Sequence, residues 1–351
     1  MPVRRCAINP SLLRARPFAR RAAGAALLAL PVLLSGCEGV QPQTTLSPRS
    51  DVGWDIQNLF MFIVVAAAVV FVIVEGVLVY AVLRYRRRPD YIPGPPVGRH
   101  GNTRLEIGWT LLPVLVLAVI AVPTVGTIFA TAAPAPRNAV QVQVTGHQWW
   151  WEFRYPGLRI VTANELHLPV GRTANLSLTS ADVIHSFWVP TLDGKRDLFP
   201  NHVNNLWFTP SAVGNYPAQC AEFCGESHGY MQMRVVVQTT ADFDAWVRDQ
   251  QGVGAAVATG EAHQGAMLFA QGTCAGCHAI AGTTAVGNIG PNLTHVASRS
   301  AIGGQLLANT PANLALWIAN SPSIKPGSHM PPQALSARDL ASIVAYLRSL
   351  K

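Results

Sequence analysis

With 351 residues the chain has room for two or three domains. Half of it is hydrophobic and only 13% is charged, an apolar balance for a soluble protein. Its formal charge of +8 is concentrated in six arginines (Arg4, Arg5, Arg14, Arg16, Arg20, Arg21) ahead of Cys37, whereas from Ala132 onward 13 basic residues meet 12 acidic ones; that near-neutral remainder excludes a nucleic-acid surface, which needs cations clustered opposite phosphates.

The N-terminus reads as an export signal: an arginine-rich start followed by the apolar run Ala22–Leu34. It ends in Leu34-Ser35-Gly36-Cys37, which resembles the lipobox of bacterial lipoproteins. That resemblance implies cleavage before Cys37 and a two-chain lipid anchor on the new N-terminus. An uncleaved helix carrying a chance cysteine is the plainer alternative. Cys6 would leave with the signal.

Two later apolar segments, near 56–83 and 108–130, are each long enough to cross a bilayer, which takes about 20 apolar residues. Between them lie Arg84, Arg86, Arg87, Arg88, Arg99 and Arg104 in a Pro/Gly-rich stretch. Arginine-rich loops stay cytoplasmic, so both termini are expected on the periplasmic or outer face, in keeping with export of Cys37. Glu75 sits within the first segment, where a carboxylate is expensive; reach toward the arginine cluster accounts for it, and it receives no role.

From Asn138 the pattern alternates, with Val140, Val142 and Val144 separated by Gln141 and Gln143. Further short strands are expected near 158–161, 175–178, 203–208 and 233–238, between Gly, Pro and Asn turns, which together suggest a β-sandwich. Residues 240–261 read as a helix fading into a Gly/Ala-rich linker. Beyond it the sequence turns helical, and Ser336 with Asp339 resembles a capping box ahead of Leu340, Ile343, Val344 and Leu347.

The first constellation with chemistry is Cys220-x3-Cys224-x3-His228-x2-Met231, with His185 far upstream. Thiolates, imidazoles and a thioether suit copper, and a second cysteine lets two sulfurs bridge two metals. The same spacing would also place a stripe on one helix face. Pro217, Gly225 and Gly229 punctuate it, however, and strand-like sequence follows, so a loop is expected. The set is similar to the copper A centre of cytochrome oxidase subunit II, a cupredoxin-like domain. The resemblance implies that Cys220 and Cys224 bridge two coppers. His185 and Met231 would serve one metal; His228 and the backbone carbonyl of Glu222 would serve the other. It further implies that the Glu222 side chain reaches a magnesium shared with subunit I, with Asp197 near the same interface.

Two other blocks extend the resemblance. In Gly146-His147-Gln148-Trp149-Trp150-Trp151-Glu152, the family places electron arrival at the first tryptophan, here Trp149, and leaves Trp150 and Trp151 as packing. In Thr103-Arg104-Leu105-Glu106-Ile107-Gly108-Trp109, the family's glutamate, here Glu106, marks the mouth of a proton channel into subunit I; a helix-start acid favoured by the dipole is the alternative.

The last motif, Cys274-Ala275-Gly276-Cys277-His278, reads as covalent haem attachment with His278 as proximal ligand. The later Lys325-Pro326-Gly327-Ser328-His329-Met330-Pro331 is similar to the methionine loop of class I cytochromes c, which implies Met330 as the sixth ligand, with His329 the competitor.

The expected organisation is multidomain. Residues 1–36 form a lipoprotein signal peptide, 37–131 a transmembrane two-helix hairpin, and 132–240 an all-β cupredoxin-like sandwich with copper A. Residues 241–260 form a linker and 261–351 an all-α class I cytochrome c domain. The resemblance points to caa-type oxidases of the bacterial inner membrane, with subunits I and III as partners, an upstream cytochrome or respiratory complex as donor, and membrane lipid around the hairpin. A quinol-oxidising subunit II would lack the copper ligands found here. Nitrous oxide reductase would need a second, histidine-rich copper cluster, and only seven scattered histidines remain. A nitric oxide reductase differs in its partner subunit.

Overall fold

The computed structural model describes residues 43–86, 98, 101–252 and 259–351. The signal segment with Cys37, most of the arginine-rich loop and the centre of the linker lie outside the described residues.

The apolar segments form helices α1 (Asp51–Tyr85) and α2 (Thr103–Ala132), each starting five residues before the expected position. The extra turns come from polar caps. Ser50 Oγ accepts the Gly53 N–H at 2.9 Å, and Asn102 Oδ1 accepts those of Arg104 and Leu105 at 3.1 and 3.3 Å. At 1.5 Å per residue, 35 and 30 residues span about 50 and 45 Å, beyond the ~30 Å hydrocarbon thickness. Beyond Val52 at its start, α1 leaves its apolar surface uncovered; no residue of α2 is buried, and Pro113 and Pro123 lie inside it.

The two open ends of the hairpin, the start of α1 and the end of α2, are fastened to a β-sandwich. The Arg49 N–H donates to Thr191 O at 2.7 Å, Asp51 Oδ1 accepts the Thr209 N–H at 2.7 Å, and the Trp207 indole donates to Ala133 O at 2.7 Å. The sandwich contains β1 (Val140–His147), β2 (Trp150–Tyr155), β3 (Ile160–Ala163), β4 (Glu165–Pro169), β5 (Ala174–Ser180), β6 (His185–Trp188), β7 (Arg196–Leu198), β8 (Asn204–Phe208), β9 (Gly214–Cys220) and β10 (Gln232–Gln238). One sheet runs β3-β2-β1-β5-β8 and the other β4-β10-β9-β6-β7. Alternation along β1 buries Val140, Val142 and Val144 and turns Gln141 and Gln143 outward, as expected. Trp151, Phe153, Tyr155, Phe187 and Phe208 fill the space between the sheets.

Helix α3 (Thr240–Gln251) is part of this body: Phe243 is buried in the core and Trp246 stacks on His167 at 4.4 Å. The helical reading of residues 240–261 thus divides, the first part packing on the sandwich and the remainder leading to α4 (Gly260–Gln271).

The C-terminal domain adds α5 (Cys274–Cys277), α6 (Pro311–Ile324) and α7 (Ala337–Ser349), with a small ribbon β11 (Ala301–Ile302) and β12 (Leu307–Ala308) that the sequence did not suggest. Ser336 caps α7 as expected: its Oγ accepts the Asp339 N–H at 3.1 Å and lies 2.8 Å from the Asp339 carboxylate. Helices α4 and α7 cross with their backbones in contact because residue 265 is glycine.

Candidate copper and haem sites

The pairing of β6 with β9 sets Phe187 opposite Cys220, so His185, two residues along β6, projects to the same face near the end of β9. Gly146 makes room for the imidazole; a Cβ there would stand 2.8 Å from His185 Cδ2. Beyond Cys220 the chain forms a loop and not a helix. Gly225 adopts φ +116°, which a side chain would resist, and the Met231 N–H closes back on His228 O at 3.1 Å. The Cys220 N–H donates to Met231 O at 3.0 Å, so the methionine returns beside the first cysteine's strand.

The expected copper ligands converge. The two sulfurs are 3.8 Å apart; Cys220 Sγ lies 3.9 Å from His185 Nδ1 and 3.2 Å from the Glu222 carbonyl oxygen. Cys224 Sγ lies 3.6 Å from His228 Nδ1 and 3.7 Å from Met231 Sδ. This is a soft, largely buried donor set wrapped around a sulfur pair, and it fits a binuclear copper. The hydrogen bond from Cys224 pulls the Cys220 thiol well below its usual range, against the effect of burial and helped by His185, and Cys224 is pushed up in return. One sulfur is therefore poised as thiolate, the metal-binding form.

Two residues outside the expected set orient it. Asp182 Oδ1 lies 2.8 Å from His185 Nε2 and its Oδ2 accepts the Gln148 N–H at 2.7 Å. Burial lowers the His185 pKa, but Asp182 and Cys220 outweigh it and the net direction is upward. A carboxylate on the far nitrogen fixes the tautomer and leaves Nδ1 facing the sulfurs. Gln148 Nε2 and the Trp149 indole both donate to Cys224 O, at 2.8 and 3.1 Å. Trp149 is thereby tied to the backbone of a candidate copper ligand. Trp151 lies in the core, and Trp150 stacks on His147 at 4.1 Å.

In the C-terminal domain Cys274, Cys277, His278 and Met330 line one partly open cavity of about 230 Å³. Both thiols are free. His278 Nδ1 is engaged by Pro291 O at 2.8 Å, which leaves Nε2 as the candidate ligand atom, and burial lowers its pKa, which favours the neutral imidazole. Arg299 also lines the cavity, with its Nε buried and unpartnered among the described residues. Its Nη2 donates to Asn292 O, but the buried Nε N–H left without an acceptor suits a group carrying carboxylates, as haem does. His329 ends 5.5 Å from the Trp149 ring, centroid to centroid.

The same cavity is lined on its far side by Gln148, Trp149 and Trp150 of the sandwich. A Cβ at Gly327 would meet Trp149 Cη2 at 2.8 Å, so the methionine loop rests directly on the indole. Glu222 and Phe223 are exposed at the tip of the copper loop. Asp197 lies on β7, away from the sulfur pair in sequence and outside the ligand cluster. Glu106 is exposed in the first turn of α2, at the end away from the sandwich, and Glu75 is exposed on α1.

Three family models match the chain in succession: cytochrome c oxidase subunit II, transmembrane domain, over residues 40–126; the periplasmic domain of the same subunit over 158–240; and cytochrome c over 262–351. Cytochrome c oxidase subunit 2 of Alkalihalophilus pseudofirmus is 37% identical over 331 residues, covering 92% of this chain and 95% of its own. Its counterpart in Bacillus subtilis is 31% identical, covering 93% and 96%. A solved periplasmic domain of cytochrome oxidase subunit II from Bradyrhizobium japonicum is 28% identical, covers 34% of this chain and 97% of its own, and has a TM-score of 0.33. The periplasmic-domain match implies copper A and the cytochrome match implies haem c. The chain belongs to the cytochrome c oxidase subunit II family, in a form that carries a cytochrome c domain at its C-terminal end.

Proposed function

We propose that the chain is the electron-transfer subunit of a caa-type terminal oxidase, passing electrons from an upstream cytochrome or respiratory complex through covalent haem c to copper A and on to subunit I, which reduces dioxygen to water with proton pumping. Haem c and copper A would supply the one-electron carriers. The residues of this chain hold them and set what separates them. Cys274 and Cys277 would carry the thioethers, and His278 and Met330 would hold the iron. His185, Cys220, Cys224, His228, Met231 and the Glu222 carbonyl would hold copper.

One observation carries the reading. Trp149 borders the haem cavity on one side and on the other donates its indole N–H to the carbonyl of Cys224. Gln148 beside it makes the same two contacts, but Trp149 alone of the pair is aromatic, which supports its role as the point where electrons enter the copper domain.

Finer assignments follow from position. The exposed Glu222 side chain is proposed to bind magnesium against subunit I. Glu106, at the opposite end of a ~45 Å helix from the sandwich, is proposed to stand at the cytoplasmic mouth of a proton channel in subunit I. The lipid anchor at Cys37, the periplasmic placement of both domains in the bacterial inner membrane, and contact with subunit III belong to the same proposal.

Rapid mixing of the purified oxidase with its reduced native donor tests the order. The haem c absorption band should change first and the copper A band second. Copper A reduced while haem c stays oxidised would refute it.

A further inference from the structure

Lys325 follows α6, five residues before Met330, and is only 4% exposed. A buried ammonium is costly unless each of its three N–H donors finds an acceptor. Here all three do, and none of the acceptors is a carboxylate. Nζ donates to Trp149 O at 2.6 Å, to Tyr230 O at 3.0 Å and to Gly303 O at 3.1 Å. Trp149 and Tyr230 belong to the copper domain, on the two segments that deliver the indole and the ligand Met231. Gly303 belongs to the cytochrome domain, between β11 and β12. The Lys325 amine is therefore held across the two domains by three carbonyls.

Weaker polar contacts surround it. Ser227 Oγ donates to Pro326 O, the next residue in the methionine loop, at 2.5 Å. Gln305 Nε2 donates to Asn164 O at 3.2 Å, Arg234 Nη1 to Ser300 Oγ at 3.1 Å, and the Ser300 N–H to Glu165 Oε1 at 2.9 Å. These contacts span the same two domains, and Ser227 and Glu165 are buried as Lys325 is. Lys325 differs in that separating the domains would leave it without two of its three acceptors.

We propose that Lys325 is a positioning residue for electron transfer, a latch that locks the cytochrome domain onto the copper domain with the Met330 loop seated on Trp149. It rests on the electron-transfer reading above. In each event one electron leaves reduced haem c and is accepted by oxidised copper A, and the latch sets the fraction of time in which the pair is close enough. A transfer that requires one pose slows in proportion to the population of that pose.

The test uses the whole oxidase carrying Lys325→Met, which keeps the length of the side chain and removes its donors. Haem and copper spectra and both potentials should match wild type. Amide hydrogen exchange should rise in Trp149–Trp151 and Pro326–Met330. Electron transfer from haem c to copper A after rapid reduction of the haem should fall about tenfold, a loss in keeping with removal of a buried charge-assisted contact, and become sensitive to viscosity. Lys325→Gln, which keeps two donors, should fall in between and carries the test if the methionine variant does not assemble. Wild-type exchange and transfer rate in these variants would overturn the latch. A wild-type oxidase in which haem c never reduces copper A would instead refute the electron-transfer reading, and the exchange result would then judge the latch alone.

Discussion

Replacing Cys220 with alanine is expected to remove the binuclear copper while leaving the sandwich folded. Cys220 ends β9 with its sulfur buried, 3.8 Å from Cys224 and 3.9 Å from His185. The substitution deletes a single atom, so the cost in packing is small, about 1 kcal/mol. The cost to the site is far larger. The remaining thiol loses the hydrogen-bonded partner that would share its proton, and the cluster loses the sulfur that faces both His185 and the Glu222 carbonyl. Metal analysis should fall from two coppers per chain to one or none, and oxidase turnover by roughly 10³-fold, or about 4 kcal/mol in the barrier. Full copper content in the variant would show that the sulfur pair is not the bridge.

Gly265→Val is expected to unfold the cytochrome domain selectively. A Cβ at this position would be driven into the Ser342 carbonyl, and it would stand 2.9 Å from Tyr346 Cβ. Both atoms belong to α7, and the nearer is backbone, so no side-chain rotation relieves the clash; the helices must separate. Behind the crossing lie Phe269, Ile343, Tyr346 and Leu347, all buried in one cluster. Overpacking of this kind costs at least ~3 kcal/mol, and for a domain of this size that lowers the melting temperature by on the order of 15 °C. Haem absorbance followed on heating should show the early transition, while the copper A spectrum melts as in wild type. An unchanged haem-domain transition would mean that the crossing is looser than the backbone contact implies.

The residues that gather at the two candidate sites were legible in the sequence because their spacing is local. Cys220 through Met231 and Cys274 through His278 sit at fixed short spacings, and the fold needs only to close a loop around each. The strands were legible where alternation was strong, as in β1. Others were missed: β7 has three residues, β9 contains Pro217, β6 is occupied by His185-Ser186-Phe187-Trp188, and β2, within the tryptophan block, and β4 were not expected either. Residues that act across the fold left no local mark. Asp182 meets His185 only through a turn before β6, Gln148 reaches Cys224 across 76 residues, and Lys325 reaches Trp149 across 176. In the sequence, Lys325 is one residue of a methionine loop; its partners become visible only when the two domains are placed together.

Oxygen consumption by the whole oxidase carrying Cys274→Ala and Cys277→Ala, driven by its native donor, tests the central claim most directly. The two thiols lie in the cytochrome domain, apart from every copper ligand, so copper A should assemble with its normal spectrum while covalent haem c is lost. Donor-driven oxygen consumption should then collapse, and an artificial donor able to reduce copper A itself should restore part of it. Wild-type oxygen consumption from the native donor by the haem-free enzyme would contradict the account, because electrons would then be reaching the copper domain at Trp149 without passing through the cytochrome.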